Sequence, residues 1–119
     1  MASKPKFTQY QSDLARITKA LSHPARVYII EKLLMLKGCC TSGEMIGDIP
    51  IARSTLSRHL KELKMAGLIQ GEIEPPHIKY CINKANWIEA EKLLNKFLSQ
   101  GHSYPEQNCQ TEKPKKNTI

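Results

Sequence analysis

The chain has 119 residues, which is the length of one small domain. Its 18 lysines and arginines outnumber its 11 acidic residues, which gives a formal net charge of +7, and 40% of its residues are hydrophobic. This hydrophobic content is enough for a folded core and excludes a chain that is disordered throughout. The positive charge favours a polyanionic partner but does not by itself distinguish nucleic acid from a membrane surface.

The sequence offers no segment for secretion or for crossing a membrane. The N-terminal MASKPKF lacks the apolar stretch of a secretory signal, and the longest apolar run, VYIIEKLLML, is interrupted by Glu31 and Lys32. We therefore expect no membrane partner and a cytoplasmic location, where the four cysteines would be reduced thiols. Residues 1–7 and 101–119 are polar and rich in lysine, which predicts flexible tails on either side of one domain at residues 8–100.

Apolar residues at helical spacing predict three helices in the first half of this domain. The first covers residues 8–21, and the second begins near Pro24 and ends at Gly38, a residue type favoured just after a helix. Thr41 and Glu44 have the spacing of a capping box, in which each side chain bonds to the backbone of the other residue. They predict the start of a short third helix that Pro50 ends.

A fourth helix and a change of periodicity follow. Residues 52–66 have leucines at helical spacing, whereas LIQGEIE and HIKYCIN alternate apolar and polar residues around Pro75 and Pro76. This alternation predicts a two-stranded hairpin with the prolines at its tip, and a last helix follows Asn83 or Asn86. The predicted fold is mainly α with a β-hairpin, and the order of elements, α-α-α-α-β-β-α, is that of a winged helix-turn-helix.

The fourth helix has a polar, basic face opposite its leucines. Arginine can donate two hydrogen bonds to guanine in the major groove, serine and threonine allow a close approach, and lysines suit phosphates. Residues near the start of such a helix usually reach the bases. We expect bases to be read by Arg53, Ser54, Thr55, Ser57 and Arg58, and the DNA backbone to be contacted by His59, Lys61 and Lys64. The same face would also suit simple exposure to solvent, and the hairpin that follows it is what favours DNA.

Two segments of the chain resemble a known family. ALSHPARVYIIEKLL resembles the second helix of the ArsR/SmtB family of bacterial repressors, and IARSTLSRHLKELKMAGLI resembles its recognition helix and the start of its wing. The resemblance implies a homodimeric winged-helix repressor that binds operator DNA of two-fold symmetry and releases it on binding an inducer, often a metal or metalloid ion. In that family the first and last helices form the dimer interface. The corresponding residues here are Tyr10, Leu14, Ile17, Trp87, Leu94 and Phe97.

The sequence departs from the family's pattern at two places that bear on DNA binding. Ala52 stands where the family usually has a capping side chain, whose loss costs about 0.5–2 kcal/mol. The wing carries Glu72 and Glu74, which repel phosphate, where relatives often carry glycine and arginine. We therefore expect His77 and Lys79 to contribute modestly and the fourth helix to do most of the reading.

The family's best-known sensor site is a Cys-x-Cys pair near the start of the third helix. Cys39 and Cys40 are the candidate ligands here for a thiophilic metal or metalloid ion, with a third ligand from Cys81 or Cys109. Adjacent cysteines point in different directions from most backbones, and the ligand set is incomplete. The favoured expectation is therefore that the two cysteines are packing residues and that no ion is bound.

Two other classes of function remain to be weighed. A winged-helix module that binds protein in place of DNA is the alternative, and the basic fourth helix argues against it. An enzyme is not expected, because the sequence shows no paired nucleophile and base, no glycine-rich phosphate loop and no ligand set with catalytic spacing. The sequence leaves the operator and the regulated genes undetermined, and it leaves open whether the repressor responds to an ion, to thiol oxidation or to no signal sensed by this chain.

Overall fold

A computed structural model describes residues 6–47, 49–74, 77–103 and 105. Helices and strands follow in the predicted order, with one additional strand. They are α1 Gln9–Ala20, α2 Pro24–Met35, β1 Cys39–Thr41, α3 Ser42–Ile46, α4 Arg53–Met65, β2 Ile69–Glu74, β3 His77–Ile82 and α5 Lys84–Ser99. A 3₁₀ turn at Gln100–Ser103 continues the path of α5 past residue 100. No helix of the described part of the chain is long and apolar enough to span a membrane.

The helix ends follow from local side-chain chemistry. The predicted capping box at α3 is confirmed, because the Thr41 hydroxyl accepts from the Glu44 backbone N–H while the Glu44 carboxylate accepts from that of Thr41. An equivalent box, with a glutamine in place of glutamate, begins α1. Ala52 provides no side-chain cap to α4, as the sequence indicated. Asn83 caps α5 by accepting from the Asn86 backbone N–H.

The sheet has three strands where the sequence predicted two. β2 and β3 form the expected antiparallel wing hairpin, and β1 pairs antiparallel with the other side of β3, so the strand order is β1-β3-β2. The turn from α2 into β1 is made by Lys37 and Gly38, which both have positive φ, and the Gly38 N–H closes the helix on the Leu33 carbonyl at 2.7 Å. The hairpin tip predicted at Pro75 and Pro76 lies outside the described residues.

One hydrophobic core joins the helices to the sheet. Its fully buried side chains come from α2, α3, α4 and the start of β2, and they are Ile29, Leu33, Met45, Leu56, Leu60, Leu63, Leu68 and Ile69. The core fixes α4 by its leucine face and leaves the opposite face outside. Most of both predicted tails lies outside the described residues, so the division into tails and domain stays a prediction.

Candidate nucleic-acid interface

The outer face of α4 is the candidate interface. Leu56, Leu60 and Leu63 are at most 2% exposed and hold this helix against the core. Of the eight residues that the sequence assigned to DNA on α4, six are exposed, and they are Arg53, Ser54, Ser57, Arg58, Lys61 and Lys64. Ser54, Arg58 and Lys61 are spaced by four and three residues, so they lie along the middle of the exposed face. Thr55 is half-buried at its edge.

His59 does not lie on this face, which corrects the prediction that it contacts DNA. Its side chain is buried, and its Nδ1 accepts a hydrogen bond of 3.0 Å from the Arg26 Nε–H. The ring of His23, the residue that caps α2, lies 4.4 Å from it between centroids. Burial lowers the pKa of His59, and the nearby positive charges of His23, Arg26 and Arg58 lower it further.

The sequence contained a signal for the burial of His59. It follows Leu56 by three residues and precedes Leu63 by four, so it continues the stripe of leucines on the core side of α4. Its residue type suggested DNA, but its position in the helical period decides where it lies. The histidine therefore joins α4 to the start of α2 through Arg26 and His23.

The carboxyl end of α4 is held by side chains from two other helices. Arg16 of α1 donates a hydrogen bond to the Ala66 carbonyl, and Asn86 of α5 donates one of 2.9 Å to the Gly67 carbonyl. These carbonyls have no partner further along the helix, so the two side chains satisfy them. Gly67 ends α4 with a φ of +85°, a conformation that favours glycine. The orientation of α4 thus depends on α1 and α5 as well as on the core.

The wing lies beside α4 and has little positive charge. Glu72 of β2 stands opposite Lys79 of β3, and Lys79 is only half-exposed. Ile73 and Ile78 form the next pair toward the tip and are 84% and 42% exposed. His77 begins β3. A cleft between α4 and the wing is lined by Arg53, Ser57, Ile78 and Tyr80, among others. Among the wing side chains whose exposure the structure describes, Lys79 is the basic one, and the division of DNA contacts between the wing and α4 stays a prediction.

The residues predicted for the dimer interface divide into two groups. Leu14 and Ile17 are 9% and 4% exposed within the single chain, so they pack inward and are unavailable to a partner, which corrects their assignment. The reason is that α1 packs against α5 of the same chain and buries its apolar stripe there. Tyr10 is half-buried, with the Lys96 ammonium 4.7 Å from its ring centroid.

The outer side of α5 retains an apolar surface. Phe97 is 50% and Leu98 63% exposed, while Trp87 and Leu94 are half-buried and line a groove with Leu98. Four apolar residues at helical spacing on one side of a helix form a contiguous apolar patch, and such a patch on a protein surface often marks a contact with another molecule. This surface, defined here by these four residues as the α5 face, remains the candidate for contact with a second copy.

The cysteines are arranged differently from the prediction. Cys39 and Cys81 stand opposite each other on β1 and β3 and form a disulfide, so these two are not the expected thiols. Cys40 points the other way and is buried in the core. Its thiol donates a hydrogen bond to the Thr41 carbonyl oxygen, with 3.3 Å between the sulfur and the oxygen. Successive side chains of a strand alternate between its two sides, so Cys39 and Cys40 cannot act together on one ion.

The described residues contain no metal centre. No three of their histidine, cysteine, aspartate and glutamate side chains come together as ligands. The candidate site at Cys39 and Cys40 is therefore wrong for this structure, since Cys39 is already bonded to Cys81. Cys109, the other third ligand considered, lies outside the described residues.

One segment of the chain matches a family of bacterial regulators. Residues 23–70, from the cap of α2 into β2, match the family described as "Bacterial regulatory protein, arsR family". This segment is therefore similar to the helix-turn-helix region of that family. The matched segment contains the whole exposed face of α4 and the His23, Arg26 and His59 cluster behind it.

Individual relatives agree with this result. The HTH-type transcriptional regulator CmtR of Mycobacterium tuberculosis is 32% identical over 72 residues, which are 60% of this chain and 59% of that protein. The chain thus spans about three fifths of the length of that relative. A biofilm growth-associated repressor of Xylella fastidiosa is 29% identical over 84 residues, 71% of this chain and 69% of the relative.

A solved structure shows the same fold. The homodimeric winged helix-turn-helix DNA-binding domain of a possible ArsR-family transcriptional regulator from Mycobacterium bovis superposes with a TM-score of 0.60. The match covers 91% of this chain and 98% of that domain at 21% identity. At this identity the likeness establishes the winged helix-turn-helix fold.

Proposed function

We propose that this chain is a homodimeric, sequence-specific DNA-binding repressor that acts in the cytoplasm. The observation that carries the proposal is the exposed face of α4, whose polar and basic side chains stand clear of the core while its leucines are buried. Residues 53–65 contain four basic side chains and one acidic, a net charge of +3 on one helix. Such a helix fits the major groove, where its first turns reach base edges and later lysines reach phosphates.

We assign different parts of recognition to different side chains of α4. Ser54, Arg58 and Ser57 occupy the exposed side of its first two turns and are proposed to read bases, with Arg53 and Thr55 at the edges. Lys61 and Lys64 are proposed to contact phosphates. His59 is left out of this set because it is buried. On the wing, Lys79 is proposed as a phosphate contact, and Glu72 opposite it limits the wing's share of the affinity.

The dimer is proposed from the α5 face and from the size of the reading surface. One helix of this length reads too few base pairs for a typical specific site, whereas two copies related by a two-fold axis read half-sites about one helical turn apart. The relatives support this, since one is described as a repressor and another as a homodimeric DNA-binding domain. The α5 face would lie between the two copies.

Fluorescence anisotropy with the DNA upstream of the chain's own gene tests the proposal. Arg58→Ala should weaken binding by about 5- to 150-fold and relax specificity at one base pair. Lys64→Ala should weaken binding to all sequences and reduce the slope of affinity against salt. Lys92→Ala removes the same charge from the exposed side of α5 and should leave both quantities unchanged.

Two results would contradict the proposal. Equal affinity of the Arg58→Ala and wild-type proteins would show that this side chain does not touch the DNA. Absence of salt-dependent binding to any DNA fragment would instead favour a winged-helix module whose partner is a protein.

A further inference from the structure

We propose that Cys39 and Cys81 are a reversible redox modification site that couples the oxidant level to operator affinity. The inference rests on the proposed DNA-binding function and names a regulation of that same interface. The Cys39–Cys81 bond joins the strand before α3 to the inner strand of the wing. A DNA-binding protein works in a compartment where disulfides are usually transient and regulatory.

The register of the sheet brings the two sulfurs together without any movement of the chain. The Ile82 N–H donates to the Gly38 carbonyl at 2.7 Å, so the neighbouring pair, Cys39 and Cys81, is a non-hydrogen-bonded pair. In such pairs the side chains lie on one side of the sheet at their closest approach, and the two Cα atoms here are 4.0 Å apart. The reduced pair is therefore already placed for oxidation.

The two thiols differ in access, which assigns them different parts in the chemistry. Cys39 is half-exposed at the sheet edge, whereas Cys81 is 7% exposed. A small peroxide therefore reaches Cys39 first. The Cys39 thiolate attacks one peroxide oxygen and the O–O bond breaks, which gives a sulfenic acid on Cys39 and, after protonation, one water.

The second step closes the bond. The Cys81 thiolate attacks the sulfur of the Cys39 sulfenic acid, the S–S bond forms, and the hydroxide that leaves takes up the proton lost by Cys81 to give a second water. In sum, two thiols are oxidised by two electrons and one hydrogen peroxide is reduced to two waters. Two equivalents of a small thiol reverse the reaction by exchange, beginning at the accessible side of the bond.

The bond lies where it can influence both parts of the interface. Thr41, two residues after Cys39, is the cap of α3, and its hydroxyl and N–H are both bonded to Glu44. On the other strand, Lys79 and Tyr80 precede Cys81 and belong to the wing. β1 has only three residues and pairs on one side only, with β3, so the disulfide is a covalent addition to a short pairing.

The direction of the effect follows from preorganisation. In the proposed complex α4 reads the bases and the wing adds a phosphate contact through Lys79, and the disulfide fixes the pairing of β1 with β3 that lies between them. The oxidised protein then has fewer conformations to lose on binding. We expect it to bind the operator about three- to tenfold more tightly than the reduced protein, since ordering a few side chains and a short strand has an effect of this size.

The experiment uses the full chain with Cys109 replaced by serine, so that three cysteines remain. Titration of thiols after treatment with hydrogen peroxide should find one thiol, and treatment with dithiothreitol should restore three. Operator affinity is measured by anisotropy for both forms. Cys39→Ser and Cys81→Ser should bind like the reduced protein under either treatment, whereas Cys40→Ala, a matched change on the same strand, should keep the difference.

Each outcome decides a separate statement. Three thiols after peroxide treatment, or equal affinity of the oxidised and reduced proteins, would overturn the redox inference while leaving DNA binding intact. Weaker binding by the oxidised protein would overturn the proposal that the disulfide raises operator affinity. Failure of every form to bind DNA would refute the proposed function, and the thiol titration would still determine whether the pair forms its bond.

Discussion

Removal of the disulfide has a predictable effect on the stability of the fold. The bond joins residues 42 positions apart, and in the reduced protein the unfolded chain regains the freedom that this closed loop had restricted. The loop-entropy relation for a ring of this size gives about 4 kcal/mol at 25 °C. We therefore expect Cys81→Ser, or reduction of the wild type, to lower the free energy of unfolding by about that amount.

Thermal unfolding followed by circular dichroism measures this difference. In a domain of this size 1 kcal/mol corresponds to roughly 4 °C, so the oxidised and reduced proteins should differ in Tm by on the order of 15 °C. Cys40→Ala is the control. It removes a buried side chain and should lower both midpoints, but the gap between the oxidised and reduced proteins should persist.

One result would refute the reasoning. The thiol titration could show a fully formed bond while the Tm values of the oxidised and reduced proteins agree within about 4 °C, equivalent to roughly 1 kcal/mol. Restriction of the unfolded chain by the disulfide would then not be a source of the protein's stability. Such a result would mean that the reduced, unfolded chain retains residual structure that holds β1 near β3 without the disulfide.

Three further predictions concern other parts of the molecule. Because burial lowers the pKa of His59, the unfolded chain binds a proton at pH values where the folded chain does not. The free energy of unfolding should therefore have its full value above pH 6.5 and fall as the pH drops below it. His59→Gln should make this free energy, measured by urea unfolding at several pH values, depend less on pH. Gly67→Ala should lower the free energy of unfolding by about 1–2 kcal/mol, because φ is +85° and a Cβ would lie 3.1 Å from the side-chain amide nitrogen of Asn86. Gly101→Ala, where a Cβ would meet no atom within 4 Å, should leave the free energy of unfolding unchanged in the same chemical denaturation. Phe97→Glu should give a monomer in sedimentation and abolish operator binding. Ile73→Glu, a change at the more exposed residue of the wing, should leave the protein dimeric. A wild-type protein that sediments as a monomer at micromolar concentration would refute the proposed dimer.

Local signals in the sequence were sufficient for most of the fold. The capping box of Thr41 and Glu44 and the missing cap at Ala52 involve residues within one helical turn, so their chemistry can be read directly from the chain. The exposed face of α4 follows in the same way from the helical spacing of its leucines. The winged helix-turn-helix was therefore predictable from short-range patterns together with the family resemblance.

The features that were missed depend on residues distant in sequence. β1 is only three residues long, and what makes it a strand is β3, some forty positions later, so no local pattern indicates it. The same pairing places Cys39 opposite Cys81, whereas the sequence offered Cys39 and Cys40 as candidate ion ligands and favoured two separate packing residues. Leu14 and Ile17 were assigned to a partner copy through the family resemblance, and a single apolar stripe does not show which surface covers it.

The separation between β1 and β3 also has a consequence for synthesis of the protein. β2 and β3 are adjacent in the chain and can pair at once, but β1 must wait until α3, α4 and both wing strands have been made. At translation rates of roughly 5–20 residues per second, the 42 positions between Cys39 and Cys81 correspond to a delay of about 2–8 s. During that interval the N-terminal helices can fold, while the β1 edge and its cysteine remain open to solvent and to neighbouring chains. The sheet is therefore completed late, and the start of α3 gains its final support only when the ribosome has already passed the wing.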